Sequence, residues 1–272
     1  MIKLRNPFSN NGKSGKKAGP KGSVPPGRRI YAIGDIHGRC DLFAALAKAI
    51  DKEAKKQPEL DSEVILLGDL IDRGPDSAGV ISHAIEWGKT RKLRALMGNH
   101  EQMLLEALDD TDVMRAFLRY GGAETLLSYG ISHKTYESST LGQLQDLLID
   151  AMPGKHLKFI RKLEDLIIVG DYAFVHAGIH PGVPLDQQKA EDMRWIRQPF
   201  LSWTKRHSHA IVHGHTIADE VEQTKGRIGI DTGAYRSGRL TALVLEGESR
   251  RIIEAAEQKD GSIQIVKRGQ DS

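Results

Sequence analysis

The sequence predicts an α/β fold in which a largely parallel sheet is followed by a second, strand-rich sheet. From Arg29 onward short apolar runs alternate with helical patterns, the arrangement that right-handed crossovers impose on parallel strands. Beyond Leu166 strand-like segments dominate instead. Each of the first three strand candidates also ends in a Gly followed at once by Asp or Asn. A chain of 272 residues is long enough to bury a core without disulfide or structural-metal support.

The first strand is the buried run Arg29-Ile30-Tyr31-Ala32-Ile33, and the apolar spacing from Asp41 to Ile50 predicts a helix after it. Glu63 to Leu67 and Ala78 to Trp87 repeat the unit, and Leu93 to Met97 is a third strand with a helix starting near His100. Residues 111 to about 163 read as a helical insertion or cap, with a polar interruption around Ser132 to Thr140. Strand-like segments follow at Leu166–Val169, Tyr172–Val175, Ala210–Val212, Arg227–Ile230, Leu240–Leu245, Arg251–Ile253 and Ser262–Val266, the last two around an Asp260-Gly261 turn. They predict a separate sheet.

Composition narrows the class. Hydrophobic residues at 39% and charged residues at 28% fit a soluble globular chain, while only 6% aromatics disfavour a base-stacking nucleic-acid binder. No apolar run is long enough to span a bilayer, and the start lacks the apolar stretch of a secretion signal. With Cys40 the single cysteine, a reducing, cytoplasmic location is expected. Residues 1–28 are rich in Lys, Arg, Gly and Pro and hold no acid, so they are expected to form a disordered basic tail ahead of one domain at 29–272. Without the tail the chain is mildly acidic.

Ligands of open α/β sheets bind beyond the carboxyl ends of the strands. Three polar tips therefore converge on one crevice: Gly34-Asp35-Ile36-His37-Gly38, Gly68-Asp69-Leu70-Ile71-Asp72-Arg73-Gly74 and Gly98-Asn99-His100-Glu101. Oxygen and imidazole donors from Asp35, His37, Asp69 and Asn99, with no thiolate, suit manganese, iron or zinc. In the strand-rich half His176-Ala177-Gly178, His213-Gly214-His215-Thr216 and Asp231-Thr232-Gly233 also end apolar runs. Two sheets facing one crevice have room for two metal ions.

In order and identity these segments, with Trp195-Ile196-Arg197 and Ile230-Asp231-Thr232-Gly233-Ala234, resemble the metallophosphoesterases of calcineurin-like fold. Within that group the likeness is to phosphoprotein phosphatases, especially the compact bacterial and phage Ser/Thr phosphatases. It spans residues 30–245. The resemblance implies a four-layer α-β-β-α sandwich of two facing mixed sheets flanked by helices. It assigns Asp35, His37 and Asp69 to one divalent ion and Asp69, Asn99, His176 and His215 to a second, manganese before iron or zinc.

It further assigns Arg73 and Arg197 to the phosphate and His100, oriented by Asp72, to protonation of the leaving group. A metal-bridging hydroxide would attack phosphorus in line. Two divalent ions, two carboxylates and that hydroxide leave one positive charge to attract a phosphate dianion. Where broader relatives carry one more metal-binding histidine, this chain has Ile217, which favours the phosphoprotein-phosphatase branch. The implied substrate is a phosphoprotein or phosphopeptide bearing phosphoserine or phosphothreonine, with phosphotyrosine as a further class.

A symmetrical dinucleoside tetraphosphate hydrolase is the enzyme alternative. Those relatives typically lack the aspartate matching Asp72 and carry an aspartate where this chain has Glu101. A non-catalytic scaffold or nucleic-acid binder acting through the basic tail is the alternative of another class. His213 reads as a supporting or structural residue, Asp231 as part of a turn, and Trp195 as packing that positions Arg197. Gly12-Lys13-Ser14 lacks the preceding strand and glycine of a phosphate loop, and Leu46 stands where a cysteine phosphatase needs arginine.

Overall fold

The computed structural model describes residues 22–269. The chain runs β1 (Arg28–Ile33), α1 (Cys40–Ala54), β2 (Asp61–Leu66), α2 (Ser77–Trp87), β3 (Lys92–Ala95) and α3 (Asn99–Ala107). Then come α4 (Thr111–Phe117), a π-helical turn (Leu118–Gly122), α5 (Ala123–Ser128), α6 (His133–Ser138), α7 (Leu141–Ala151) and α8 (Gly154–Ile160). The remainder is β4 (Ile167–Val169), β5 (Tyr172–Phe174), α9 (Ala190–Trp195), β6 (Ala210–His213), β7 (Glu222–Gln223), β8 (Arg227–Gly229), α10 (Ala234–Ser237), β9 (Arg239–Glu246), β10 (Ser249–Glu257) and β11 (Ile263–Gly269).

Two sheets form, ordered β11-β10-β9-β1-β2-β3 and β4-β5-β6-β8-β7. β1, β2 and β3 pair in parallel, joined by helical crossovers as the alternating pattern requires. One expectation needs correction: β9, β10 and β11 do not join the second sheet but extend the first, with β9 antiparallel to β1. The reason is burial. Leu240, Ala242 and Val244 join the core under α1 and α2 and Leu243 and Leu245 the core between the sheets, the two cores that flank the first sheet.

The period-two alternation of side chains sorts the layers. Tyr31 and Ile33 pack outward under the helices with Leu42, Leu46, Val80, Leu104, Phe117 and Leu148. Ile30 and Ala32 face the second sheet, against Tyr172, Phe174, Val212 and Ile228. On the far side of that sheet Ala173, Val175 and Ile211 are covered by Met193, Ile196 and Phe200. These are the two mixed sheets and flanking helices of the α-β-β-α sandwich, with α9 and its loop as the thinner outer layer.

Segment 111–163 holds helices α4 to α8, and its Met114, Phe117, Leu126, Leu144, Leu148 and Ile160 belong to the same core as α1 and α2. The polar interruption contains α6, whose N-cap Ser132 accepts from Thr135 N, and Thr140 caps α7 in a box with Gln143. Of the expected tail, residues 1–21 lie outside the described residues. Its last part is docked: Ser23 N donates to Asp171 Oδ2 at 3.0 Å, Tyr172 Oη donates to Gly22 O at 3.0 Å, and Val24 is buried between the sheets. Val24 supplies the apolar anchor that the surrounding Gly and Pro lack.

Candidate active site

The tips of β1, β2, β6 and β8, with the start of α3, meet at one end of the two sheets. Five non-glycine residues of the described chain hold left-handed backbone: His37, Asp69, Asp72, Arg73 and His215, with φ of 45°, 48°, 73°, 67° and 62°. Each is a site residue singled out in the sequence. Strained backbone concentrated in this way marks positions where side-chain aim outweighs local conformational preference. The glycines are spatial requirements: a Cβ at Gly214 would overlap Asp35 Oδ1, and one at Gly98 would overlap Asp69.

Two groups of buried donors share one carboxylate. His37, Asp69 and His100 form one, and Asp69, His176 and His215 the other, with the donor atoms of each within 4.8 Å of one another. Asp69 Oδ2 lies 3.5 Å from His37 Nε2, and Oδ1 lies 3.4 Å from His176 Nε2. His37 Nδ1 donates to Ile71 O and His176 Nδ1 to Leu67 O, each at 2.8 Å. Both rings therefore turn Nε2 inward, the orientation that backbone carbonyls impose on metal-binding imidazoles. Asn99 Oδ1 is 3.0 Å from His176 Nε2.

Asp35 stands beside these groups: its Oδ2 accepts from His215 N at 2.9 Å. Its Oδ1 and His215 Nε2 are buried without a hydrogen-bond partner, a costly state for polar atoms that bound cations would relieve. The electrostatics agree. Burial, and then the charge of Asp231, push Asp35 well above the usual carboxylate range. Burial also lifts Asp231 to about 6 and Glu101 to about 7. The unpartnered Asp35 Oδ1 and His215 Nε2, beside the shared Asp69 carboxylate, are donors suited to divalent cations, so the residues present fit such ions.

Burial alone would also raise Asp69, but His176 and His100 outweigh it and hold it well below its ordinary value. For His176 burial works downward, and the Asp69 charge and hydrogen bond carry it up to about 10. A raised histidine pKa stabilises the fold fully below about 6.5, and that contribution fades as pH climbs towards 10. A cation competes for the same lone pair. At pH 8, manganese binding to metal-free protein is expected to release at least one proton, measured by calorimetry in buffers of different ionisation enthalpy. Binding without proton release would remove His176 from the ligand set.

His100 Nδ1 donates to Asp72 Oδ2 at 2.6 Å, leaving Nε2 directed at the cluster, 4.0 Å from Asp69 Oδ2. Burial lowers the affinity of His100 for a proton, yet the charges of Asp69 and Asp72 raise it above the ordinary histidine value. The α3 amide of His100 donates to Asp69 Oδ1 at 3.1 Å. A cavity of about 260 Å³ opens over the cluster, lined by Asp69, Arg73, Asn99, Arg197, His215 and Tyr235 among others. Both arginines singled out in the sequence therefore line the same space.

Other residues fall where packing puts them. His213 is buried, pushed to about 3 first by desolvation and then by Arg227, and donates from Nδ1 to Gly214 O. Asp231 accepts from Gly233 N in a turn. Trp195 departs from expectation: it is 39% exposed and bonds Gln102 Oε1 at 3.1 Å instead of packing inward.

The supporting roles of three residues escaped sequence reasoning. Glu101 accepts from the backbone N–H groups of Asp69, Leu70, Ile71 and Gly98 at 2.7–3.2 Å, which pins the β2 loop to α3. Its place inside the Asn99-His100-Glu101 segment was its only signal. Tyr235 sets its ring 5.1 Å from the Arg73 guanidinium and edge-on to His37. Thr125, far away in sequence, donates to Asp72 Oδ1 at 2.6 Å.

Buried histidines and a shared carboxylate at facing strand ends make a site fit for divalent ions. The family model described as calcineurin-like phosphoesterase matches residues 28–235, and the chain belongs to this family of phosphoester-cleaving enzymes. It is 42% identical over 219 residues to serine/threonine-protein phosphatase 1 of Salmonella typhimurium, covering 79% of this chain and 90% of that protein. Over 78 residues, 29% of this chain and 25% of the other, it is 47% identical to the symmetrical bis(5'-nucleosyl)-tetraphosphatase of Paracidovorax citrulli. The crystal structure of a cold-active protein-tyrosine phosphatase from a Shewanella species shares the fold, with a TM-score of 0.52 at 18% identity over 89% of this chain and 83% of that one.

Proposed function

We propose that this chain hydrolyses phosphoserine and phosphothreonine in proteins, with phosphotyrosine as a further substrate class. The observation that carries this reading is the 2.6 Å His100–Asp72 pair beside a cavity lined by Arg73 and Arg197. An alkoxide is a poor leaving group, and a positioned proton donor serves that chemistry. The near full-length likeness to a Salmonella serine/threonine-protein phosphatase supports the same substrate class.

Asp35, His37 and Asp69 would hold one divalent ion and Asp69, Asn99, His176 and His215 a second, with manganese as the expected metal. Bound ions of this kind supply Lewis acidity and an acidified water for in-line displacement at phosphorus. The rest falls to side chains. Arg73 and Arg197 grip phosphoryl oxygens with forked N–H donors, which match them better than an ammonium does. Asp72 holds His100 through Nδ1, so Nε2 can pass its proton to the departing oxygen. In this reading His100 would stay unliganded, so that Nε2 keeps the proton it transfers.

A dinucleoside tetraphosphate hydrolase is the second reading, favoured by the shorter stretch of likeness to the Paracidovorax enzyme. Turnover of a phosphoserine peptide and of diadenosine tetraphosphate by the same manganese-loaded preparation separates the two. The peptide is expected to give the higher kcat/KM by about tenfold or more, a gap of at least ~1.4 kcal/mol in transition-state binding. A preference for the nucleotide would overturn the substrate class and leave the family intact. Among the described residues no helix is long and apolar enough to cross a membrane. A cytoplasmic location completes the proposal.

A further inference from the structure

The Asp72 carboxylate is held from two sides, and one side belongs to the helical segment that the strand-tip motifs do not reach. Asp72 is buried with left-handed backbone. Its Oδ2 takes the His100 Nδ1 hydrogen and its Oδ1 the Thr125 hydroxyl hydrogen, each at 2.6 Å. Thr125 lies in α5 and is itself buried. Its Oγ1 is also 2.9 Å from Ser77 Oγ and 3.1 Å from Asp72 N, while Ser77 Oγ accepts from Asp72 N at 2.9 Å.

A hydroxyl has one hydrogen to give. Since Thr125 gives it to Asp72, Ser77 must be the donor in the Ser77–Thr125 bond. The order Ser77 to Thr125 to Asp72, with His100 donating from the other end, is thus fixed by counting donors. The π-helical turn before α5 adds a second tie: Gly121 O accepts from Arg73 N at 2.9 Å, and Gly121 itself has φ 113°.

We propose that Thr125 is a positioning residue for the proton donor, holding the Asp72 carboxylate in the one orientation that aims His100 at the leaving oxygen. This rests on the phosphomonoester reading above. In the step concerned the P–O bond breaks, its electron pair stays on the departing oxygen, and the His100 Nε2 proton moves to that oxygen. Thr125 transfers nothing. The segment 111–163 thereby becomes part of the catalytic apparatus through one hydroxyl.

Thr125→Val keeps the shape and removes the hydrogen. With manganese-loaded protein, kcat for a phosphoserine peptide is expected to fall about 10- to 100-fold, while p-nitrophenyl phosphate changes less than about threefold and KM is steady for both. Thr125→Ser is expected to restore the peptide rate. Independently of turnover, in protein loaded with diamagnetic zinc, the downfield proton resonance of the His100–Asp72 hydrogen bond should shift in the valine variant and return in the serine one. If the valine variant does not fold, Ser77→Ala, which removes the donor to Thr125, should show a smaller version of the same pattern.

Equal losses on the two substrates, or an unmoved resonance, would overturn the proposal. Failure of the underlying reading looks different: His100→Asn would then itself lose leaving-group dependence. An intact His100→Asn effect beside a flat Thr125→Val response sinks the positioning role alone.

Discussion

Asp69→Asn is expected to lower phosphomonoester hydrolysis by roughly 10³-fold or more while the protein still folds. Asp69 is the one carboxylate common to both donor groups, so in the proposed site a single charge would serve two ions. The amide has nearly the same shape, but it replaces an anionic oxygen with an N–H donor that confronts His37 or His176. Those imidazoles keep their inward aim because Ile71 O and Leu67 O hold the opposite nitrogens. The variant should therefore retain its circular dichroism and lose bound manganese, read by elemental analysis. Near-normal turnover from a folded variant with full metal content would refute the assignment.

His100→Asn should cost about 10²- to 10⁴-fold on a phosphoserine peptide, the usual range for loss of a general acid. On p-nitrophenyl phosphate, whose leaving group needs little protonation, the loss should be much smaller. Geometry makes the contrast possible. Nδ1 is committed to Asp72, and Nε2 is the nitrogen left free beside the cluster, 4.0 Å from Asp69 Oδ2. Metal content distinguishes this role from coordination, because His37, Asp69 and His100 donors also lie close together. Unchanged manganese with leaving-group dependence supports the acid; metal loss with equal damage on both substrates would make His100 a ligand instead.

Much of this site was legible in the sequence because strand ends are local signals. A buried apolar run that stops at Gly-Asp, Gly-Asn or His-Ala announces both where the chain turns and what it presents, and the family resemblance then picked six candidate ligands from those tips. The partners of those groups were less legible. Glu101 acts through four backbone amides, and no periodicity encodes a carboxylate curled back on its own helix start. Thr125 reaches Asp72 across 53 positions. The swap of β9 into the first sheet had the same origin: pairing partners depend on which edge is free, and Leu240 to Leu245 reads alike in either sheet.

Pairing β1 with β9 also has a consequence during synthesis. The first sheet cannot close around β1 until residues near 246 have been made, so a nascent chain already carrying β1, β2 and β3 keeps an apolar strand border uncovered for most of translation. Long-separation contacts of this kind are slow to form and expose sticky edges meanwhile. The topology leaves β1 without its antiparallel neighbour until the last part of the chain has been made.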